Sequence, residues 1–204
     1  PNPTWGQQTF MFQKSGLNVL KHDYYDEKNN FLDFDNMLKC INNLKSGDAL
    51  LLHGCCHNPT GADLSLEQWS IVANLCKKNG ILPFIDLVYQ GLGHGINEDV
   101  LGIQYLIKIV PEVILTVSSS KTFGVYRDRC GLFAVITDAE RVTSQSLETI
   151  LSEIARELYF HPPDHAASII NILLADENLK EEWLSELSSM QNRIVSLRQQ
   201  IGKS

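Results

Sequence analysis

Short apolar runs rich in Leu, Ile and Val recur along the first two thirds of the chain, and polar or glycine-containing segments separate them. Runs of this kind are typical of β-strands, and uninterrupted ones are typical of strands buried on both faces. The predicted strands are Leu17–Leu20, Leu50–Leu52, Ile81–Ile85, Val113–Val117 and Cys130–Ile136. We expect the last two, which flank a polar stretch, to be buried.

Segments with helical periodicity lie between these runs. A short helix is predicted before Gly16, a second over Asp33–Leu44 and another over residues 99–110. Ser65–Gln68 has the pattern of a capping box, which opens a helix that ends at Gly80. The side chains that this helix is expected to bury are Leu66, Trp69, Val72, Ala73 and Cys76. Strands alternating with helices predict an α/β fold with a mainly parallel sheet and helices on both faces.

The last third of the chain is predicted to be helical. We expect Asp138 to cap a long helix that ends before Pro162-Pro163, and a shorter apolar helix to cover Ala166–Ala175. The apolar stripe of the first of these helices is Leu147, Ile150, Leu151, Ile154 and Leu158. In the final helix, apolar side chains recur at spacings of three and four residues. They are Trp183, Leu187, Met190, Ile194, Leu197 and Ile201, and such a seam requires a partner surface.

Composition narrows the class of protein. The chain has 204 residues and a net charge of −7 without long runs of one sign, which argues against a nucleic-acid surface. No apolar run reaches the roughly 20 residues that a membrane helix needs. The five cysteines form no disulfide framework, so we expect free thiols in a reducing compartment, with a cytoplasmic location. Cys55-Cys56-His57 lacks the usual spacing of zinc ligands, and no metal site is predicted.

Three polar loops follow predicted strands, at residues 54–61, 86–91 and 118–129. In open α/β sheets, ligands bind outside the carboxyl ends of the strands. The residues that this placement brings to one edge of the sheet are Asn58, Asp86, Tyr89, Ser118, Lys121 and Arg129. The convergence of the loops predicts a ligand site there.

Lys121 is the candidate nucleophile of this edge. A lysine that loses part of its hydration becomes reactive toward carbonyls, although Lys121 could equally be an ordinary loop lysine. A serine–lysine pair is a weaker alternative, because no spacing in the sequence selects it. Because the chain carries no aldehyde, a cofactor or a ketone must supply the carbonyl. Pyridoxal phosphate (PLP) would need a carboxylate for its ring nitrogen, donors for its phenolic oxygen, and small polar groups and an arginine for its phosphate.

The polar residues of the predicted edge meet these demands. Asp86 could serve the ring nitrogen, and Asn58 and Tyr89 the phenolic oxygen. The phosphate could be held by Ser118 and Arg129. Trp5 could stack on the ring, although Asp86 could instead cap a turn, and Tyr89 and Trp5 could be packing residues.

Four stretches of the chain closely resemble the motifs of aspartate aminotransferases, in the same order and spacing. They are Pro3-Thr4-Trp5, His57-Asn58-Pro59-Thr60-Gly61, Asp86-Leu87-Val88-Tyr89-Gln90-Gly91 and Ser118-Ser119-Ser120-Lys121-Thr122-Phe123-Gly124-Val125-Tyr126-Arg127-Asp128-Arg129. That family belongs to the fold type I PLP enzymes, and the aromatic-amino-acid aminotransferases share the motifs. The resemblance implies a PLP-dependent enzyme that moves the amino group of aspartate or glutamate to a 2-oxo acid by a ping-pong mechanism.

The resemblance assigns catalytic roles to three residues. Lys121 would hold PLP as a Schiff base and later move a proton at the substrate. Asp86 would pair with the ring nitrogen. Tyr89, together with Asn58, would bond the phenolic oxygen.

Binding roles follow from the same resemblance. Ser118 and Arg129 would hold the phosphate, and Trp5 would pack on the ring. Arg156 aligns with an arginine that reaches across a homodimer to the substrate side chain, so Trp5, Asn58 and Arg156 would contact the substrate. On the sequence alone, an ion pair between Arg156 and Glu153 is the favoured role, and the resemblance reverses that preference.

The chain also departs from the family pattern. Phe160-His161 stands where the family usually has small polar residues near the substrate side chain, and Gln8 stands where a histidine often supports the aspartate. We therefore expect substrate preference and ring protonation to differ.

We expect the chain to be a fragment that lacks the N-terminal and C-terminal segments of the family. Residues 1–177 would form part of the large PLP-binding domain, and residues 178–204 a connecting helix. The alternatives are an aromatic-amino-acid aminotransferase, a non-catalytic remnant of the fold, and a lyase or decarboxylase that uses the same lysine. A mitochondrial location is the alternative to the cytoplasm.

Overall fold

The computed structural model describes residues 1–138 and 142–201. Its N-terminal part contains two helices and a small hairpin. They are α1 (Gly6–Lys14), β1 (Tyr25–Asp26), β2 (Phe31–Leu32) and α2 (Phe34–Asn42). The strands β1 and β2 are antiparallel. The Asp26 carboxylate accepts hydrogen bonds from the backbone N–H groups of Lys28 and Asn29 in the turn between them. This polar turn forms the tip of the hairpin.

The predicted strand over Leu17–Leu20 is wrong. Residues 17–20 have no regular secondary structure, and Leu17 and Leu20 are 56% and 69% exposed. An apolar run becomes a strand only if a neighbouring strand pairs with it, and none does so in the part of the chain that the structure describes.

A four-stranded sheet forms the centre of the fold. Its strands are β3 (Ala49–His53), β4 (Leu82–Leu87), β5 (Glu112–Ser118) and β6 (Gly131–Thr137), in that spatial order. β3, β4 and β5 are parallel, and β6 is antiparallel to β5. The prediction of an α/β fold with a mainly parallel sheet is confirmed.

Helices lie on both faces of this sheet. Side chains alternate along β4, so Ile85 and Leu87 face one side while Phe84 and Asp86 face the other. Phe12 of α1 packs edge-on against Phe84, with ring centroids 5.4 Å apart. On the opposite face, Ile85 and Leu87 belong to the buried core that includes α2 and the next two helices, α3 (Leu66–Asn79) and α4 (Leu101–Ile109).

The start and end of α3 follow the predicted signals. The Ser65 hydroxyl accepts from the Gln68 N–H, the Gln68 side chain accepts from the Ser65 N–H, and Gly80 ends the helix with a φ of 66°. Four of the five predicted buried positions of α3 are buried. Leu66 is the exception, because it lies in the first turn and is 56% exposed.

The helices after the sheet bury less than their sequence predicts. They are α5 (Ser144–Tyr159), α6 (His165–Ala175) and α7 (Glu177–Ile201). Thr143 caps α5 by accepting from the Ser146 N–H at 3.2 Å, so the predicted cap at Asp138 is wrong. Residues 202–204 of the predicted final helix lie outside the described residues.

Three of the five residues in the apolar stripe of α5, and the first half of β6, are exposed. Leu158 is 74% exposed, and Leu132 and Phe133 are 59% and 48% exposed. The expectation that Cys130–Ile136 is buried is therefore wrong, since residues 131–133 are exposed and the others are only half-buried. β6 is the last strand of the sheet order, and together with α5 it lines a groove of about 880 Å³.

Helix α7 docks on loops at the carboxyl edge of the sheet. Leu187 is 2% exposed, and the Trp183 indole N–H donates to the Thr122 carbonyl at 2.9 Å. The Gln191 amide donates to the Gly93 carbonyl at 2.9 Å. The predicted seam thus finds part of its partner surface here, although Leu197 and Ile201 remain exposed. Within residues 1–138 and 142–201, every helix is too short or too polar to cross a membrane.

Candidate functional site

Asp86 lies near the end of β4, on the face that α1 covers. Its Oδ2 accepts a hydrogen bond from the Gln8 amide at 2.6 Å, and its Oδ1 lies 3.2 Å from the Thr116 hydroxyl of β5. Burial raises the pKa of the Asp86 carboxyl, while these hydrogen bonds and the positive charge of Lys121 act in the opposite direction. A carboxylate bonded on both oxygens is held in one orientation and can still accept another proton donor.

Gln8 connects Asp86 to a second strand of the sheet. Its Oε1 lies 3.0 Å from the Thr4 hydroxyl and 3.0 Å from His53 Nε2, at the end of β3. In the sequence, Gln8 was notable only because the family often has a histidine at this position. Its contact with Asp86 joins residues 78 positions apart, so no local pattern could reveal it.

Lys121 lies between two tyrosine rings. Its Nζ is 5.5 Å from the centroid of the Tyr89 ring and 5.1 Å from that of Tyr126. Burial raises the pKa of the Tyr89 phenol, and a hydrogen bond with the Asn58 side chain acts against that rise. Lys121, Tyr89 and Asn58 are therefore brought together. Tyr126 was not predicted, and its position five residues after the lysine was the only available signal.

A small group of hydroxyls and one guanidinium lies beside Lys121. The Ser118 hydroxyl accepts from the Ser120 N–H at 3.3 Å. Arg129 donates to the Ser120 hydroxyl at 3.4 Å and to the Tyr126 carbonyl at 3.1 Å. Because β6 is antiparallel to β5, with Ser118 opposite Gly131, Arg129 lies at the same edge as Ser118. Ser120 was also not predicted, although the serine run pointed to it.

A stack of aromatic rings supports the loop after β3. The His57 ring stacks on Tyr24 at 4.0 Å and on His53 at 4.5 Å between centroids. Burial lowers the pKa of His53 to about 4 and that of His57 to about 3, so both are neutral at pH 7. Across residues 1–138 and 142–201, no group of three or more His, Cys, Asp or Glu side chains is placed to share a metal ion.

Trp5 and Arg156 have looser connections to this site. Trp5 precedes α1, is 47% exposed, and accepts a backbone hydrogen bond from Gln8 at 3.0 Å, which places it one turn from the Asp86 contact. Arg156 is exposed on α5 and, within the described residues, neither bonds to the site nor pairs with Glu153. Among the described residues, no contact of Arg156 supports its predicted role.

The loop after α5 carries the other departure from the family. Phe160 has a φ of 66°, and its ring packs edge-on against His161 at 4.7 Å between centroids. Both residues are exposed.

The donors and acceptors at this edge suit one kind of ligand. Asp86 can accept from a protonated ring nitrogen, Tyr89 and Asn58 can donate to an oxygen on the same ring, and Lys121 supplies an amine. Ser118, Ser120 and Arg129 can hold a phosphate. This set of groups is complementary to a planar, phosphorylated heterocycle.

The family model described as aminotransferase class I and II matches residues 1–204. The tyrosine aminotransferase of Rhizobium meliloti is 38% identical over 201 residues, which cover 98% of this chain and 51% of the relative. The aspartate aminotransferase of Escherichia coli is 37% identical over 198 residues, which cover 97% of this chain and 50% of that protein.

The solved structures that resemble this chain are also aminotransferases. An aromatic-amino-acid aminotransferase of Burkholderia pseudomallei, described as covalently bound to pyridoxal phosphate, superposes with a TM-score of 0.91 at 34% identity. The match covers 97% of this chain and 49% of that structure. The chain thus spans about half the length of the relatives it matches.

Proposed function

This chain belongs to the class I and II aminotransferase family, and we propose that it carries the cofactor-binding core of a PLP-dependent aminotransferase. The reaction would move the amino group of an amino acid to a 2-oxo acid. The observation that carries the proposal is the meeting of a lysine, a hydrogen-bonded buried carboxylate and a tyrosine at the ends of neighbouring strands. Asp86, Lys121 and Tyr89 supply these groups.

The fit of PLP to this site rests on the chemistry of the donor set. PLP has a basic ring nitrogen, a phenolic oxygen, a carbonyl and a phosphate, and each has a matching group here. The nitrogen matches Asp86, whose carboxylate is already fixed by Gln8 and Thr116. The carbonyl matches the amine of Lys121, as it does for the relative to which PLP is covalently bound.

When bound, PLP supplies an electron sink for the bonds at the substrate α-carbon. The remaining work falls to the residues of the chain. Asp86 keeps the proton on the ring nitrogen, and Tyr89 with Asn58 stabilises negative charge on the phenolic oxygen. Ser118, Ser120 and Arg129 orient the phosphate. The amine of Lys121 holds the cofactor and then moves a proton at the substrate α-carbon as a general base and acid.

The substrates we propose are aspartate or glutamate with 2-oxoglutarate or oxaloacetate, and aromatic amino acids are the alternative. Relatives of both kinds match the chain equally well. Trp5 would cover the ring, and Arg156 would act in the site of a second subunit, which is consistent with its lack of contact with the site of its own chain. We further propose that the protein is a homodimer, that it acts in amino acid metabolism, and that it is cytoplasmic or mitochondrial. In each subunit, residues 1–177 would belong to the large domain, and residues 178–204 would connect this domain to the rest of the protein.

An absorption experiment tests the proposal. The purified protein with added PLP should show a visible band that borohydride bleaches, and the band should be lost in Lys121→Ala. Lys108→Ala removes an exposed lysine of α4 and is the matched control, which should keep the band. Aspartate and 2-oxoglutarate would then be added to follow the transfer. If wild type and Lys121→Ala behave alike, the proposed role of Lys121 is wrong.

A further inference from the structure

Gln8 is almost fully buried, and hydrogen bonds fix both ends of its amide. It is 5% exposed. Its Oε1 faces the Thr4 hydroxyl and His53 Nε2, each at 3.0 Å. Its Nε2 lies 2.6 Å from Asp86 Oδ2, which is a short distance for a charge-assisted bond. A buried amide that satisfies both its acceptor and its donor in this way is locked in orientation.

The protonation state of His53 determines which of these side chains donates and which accepts in each hydrogen bond. His53 Nδ1 accepts the backbone N–H of Asn58 at 3.1 Å, so the single proton of the neutral ring is on Nε2. Because burial lowers the pKa of His53 to about 4, the ring is neutral at pH 7. Nε2 must therefore donate to Gln8 Oε1, and the NH₂ group of Gln8 must point at Asp86. In the series Asn58, His53, Gln8 and Asp86, each residue then donates a hydrogen bond to the next.

The Gln8 amide is also the fixed hydrogen-bond donor to the Asp86 carboxylate. The Thr116 hydroxyl lies 3.2 Å from Asp86 Oδ1 and 3.2 Å from the Ile85 carbonyl, and its one proton can go to either. The other groups facing Asp86 are the amine of Lys121 and the phenol of Tyr89. His53 itself is faced by the rings of His57 and His22. Among these groups, only the Gln8 amide donates to Asp86 without being able to titrate or turn away.

We propose that Gln8 is a positioning residue that holds Asp86 as an ionised, oriented acceptor, using the hydrogen bonds from Thr4 and His53 to keep its NH₂ group aimed at the carboxylate. The consequence for catalysis rests on the proposed function, because Asp86 would pair with the cofactor ring nitrogen. The consequence for Asp86 itself holds without cofactor. Removing the Gln8 donor destabilises the ionised form of Asp86 more than its protonated form, because the hydrogen bond to the charged carboxylate is the stronger one.

The test measures the ionisation of Asp86 in the purified protein without cofactor. Aspartate carboxyl carbons are labelled with ¹³C and titrated by NMR, and the Asp86 signal is identified by its absence in Asp86→Asn. Gln8→Met keeps the length of the side chain and removes the amide. Loss of one charge-assisted hydrogen bond should move the Asp86 midpoint upward by about one to two pH units.

Two variants separate positioning from packing. Gln7→Met makes the same substitution at the neighbouring exposed residue of α1 and should leave the Asp86 midpoint unchanged. Gln8→His can accept from His53 with one ring nitrogen and donate to Asp86 with the other, so it should return the midpoint to the wild-type value or below. The same midpoint in Gln8→Met and Gln7→Met would overturn the proposal.

A further variant keeps the test decisive if Gln8→Met does not fold. Gln8→Glu has nearly the same shape but replaces the donor with an acceptor. The introduced carboxyl group and Asp86 would then share a proton, and the Asp86 midpoint should rise. An unchanged midpoint would again overturn the proposal. The NMR result is independent of the Lys121→Ala absorption experiment, so the role of Gln8 and the proposed function can fail separately.

Discussion

Leu187 anchors helix α7 to the edge of the sheet that carries the site. Within the described residues of α7, Leu187 is the one fully buried side chain, at 2% exposed. It lies against the loop that follows Tyr89, and a Cβ placed on Gly91 would be 2.5 Å from Leu187 Cδ2. Gly91 has a φ of 88° and leaves just enough room for this contact. Leu187→Ala therefore removes the apolar contact between α7 and this loop, while the hydrogen bond from Gln191 to the Gly93 carbonyl remains.

The expected effect of this substitution can be estimated from burial. Truncation of a fully buried leucine loses its transfer free energy and leaves a cavity, which together cost about 2 to 5 kcal/mol. Leu197→Ala is the matched control, because it makes the same substitution in the same helix at a side chain that is 44% exposed. For a half-exposed leucine we expect no more than about 1 kcal/mol. The two variants should thus differ by about 1 kcal/mol or more.

Equilibrium unfolding in urea measures this difference directly. The two variants and wild type should unfold with the same dependence on urea, so that a shift in midpoint reports the free energy of unfolding. Affinity for PLP gives a second readout, because the loop that Leu187 contacts begins at Tyr89. Equal destabilisation by Leu187→Ala and Leu197→Ala would refute the view that α7 is anchored on the site.

Three other local features give predictions of their own. Burial lowers the pKa of His57 to about 3, so between its ordinary value and 3 only the unfolded state binds this proton, and the free energy of unfolding should fall as the pH decreases. From pH 7 to 4.5 the part of this loss that His57 causes should be roughly 2 to 3 kcal/mol by urea unfolding, and His57→Phe should lose that much less than wild type, because the loss caused by His53 remains. Gly102→Ala should lower stability by about 1 to 3 kcal/mol in thermal melts, since its Cβ would collide with the ring of Trp69; unchanged melting would contradict this packing. Ser65→Ala should cost about 1 kcal/mol by the same assay, through loss of the cap of α3, whereas no change would mean that water replaces the hydroxyl.

The parts of the fold that depend on local pattern could be predicted from the sequence. The capping box at Ser65, the glycine that ends α3 and the buried strands β3 to β5 are all encoded within a few neighbouring residues. Lys121 and Asp86 could be placed at one edge because the carboxyl ends of parallel strands share that edge. This placement could be predicted without knowing the conformation of the loops between Asp86 and Lys121.

The errors occurred where burial depends on what a segment meets. Leu17 and Leu20 look like strand residues, but no described strand pairs with residues 17–20, and they are exposed. The stripe of α5, including Leu158, has the spacing of a buried face, yet no residue of α5 is buried. Periodicity shows that a face is apolar, whereas burial requires a partner surface that the sequence of the same segment does not describe.

The site shows the same limit for polar contacts. Gln8 reaches Asp86 across 78 residues, and Trp183 reaches Thr122 across 61. One contact fixes the carboxylate from α1, and the other holds the loop beside Lys121 from α7. The two residues on which the proposed chemistry depends are therefore oriented by helices from opposite ends of the chain. Since both helices are distant along the chain from Asp86 and Lys121, we expect the geometry of the site to form only when the whole of this chain is folded.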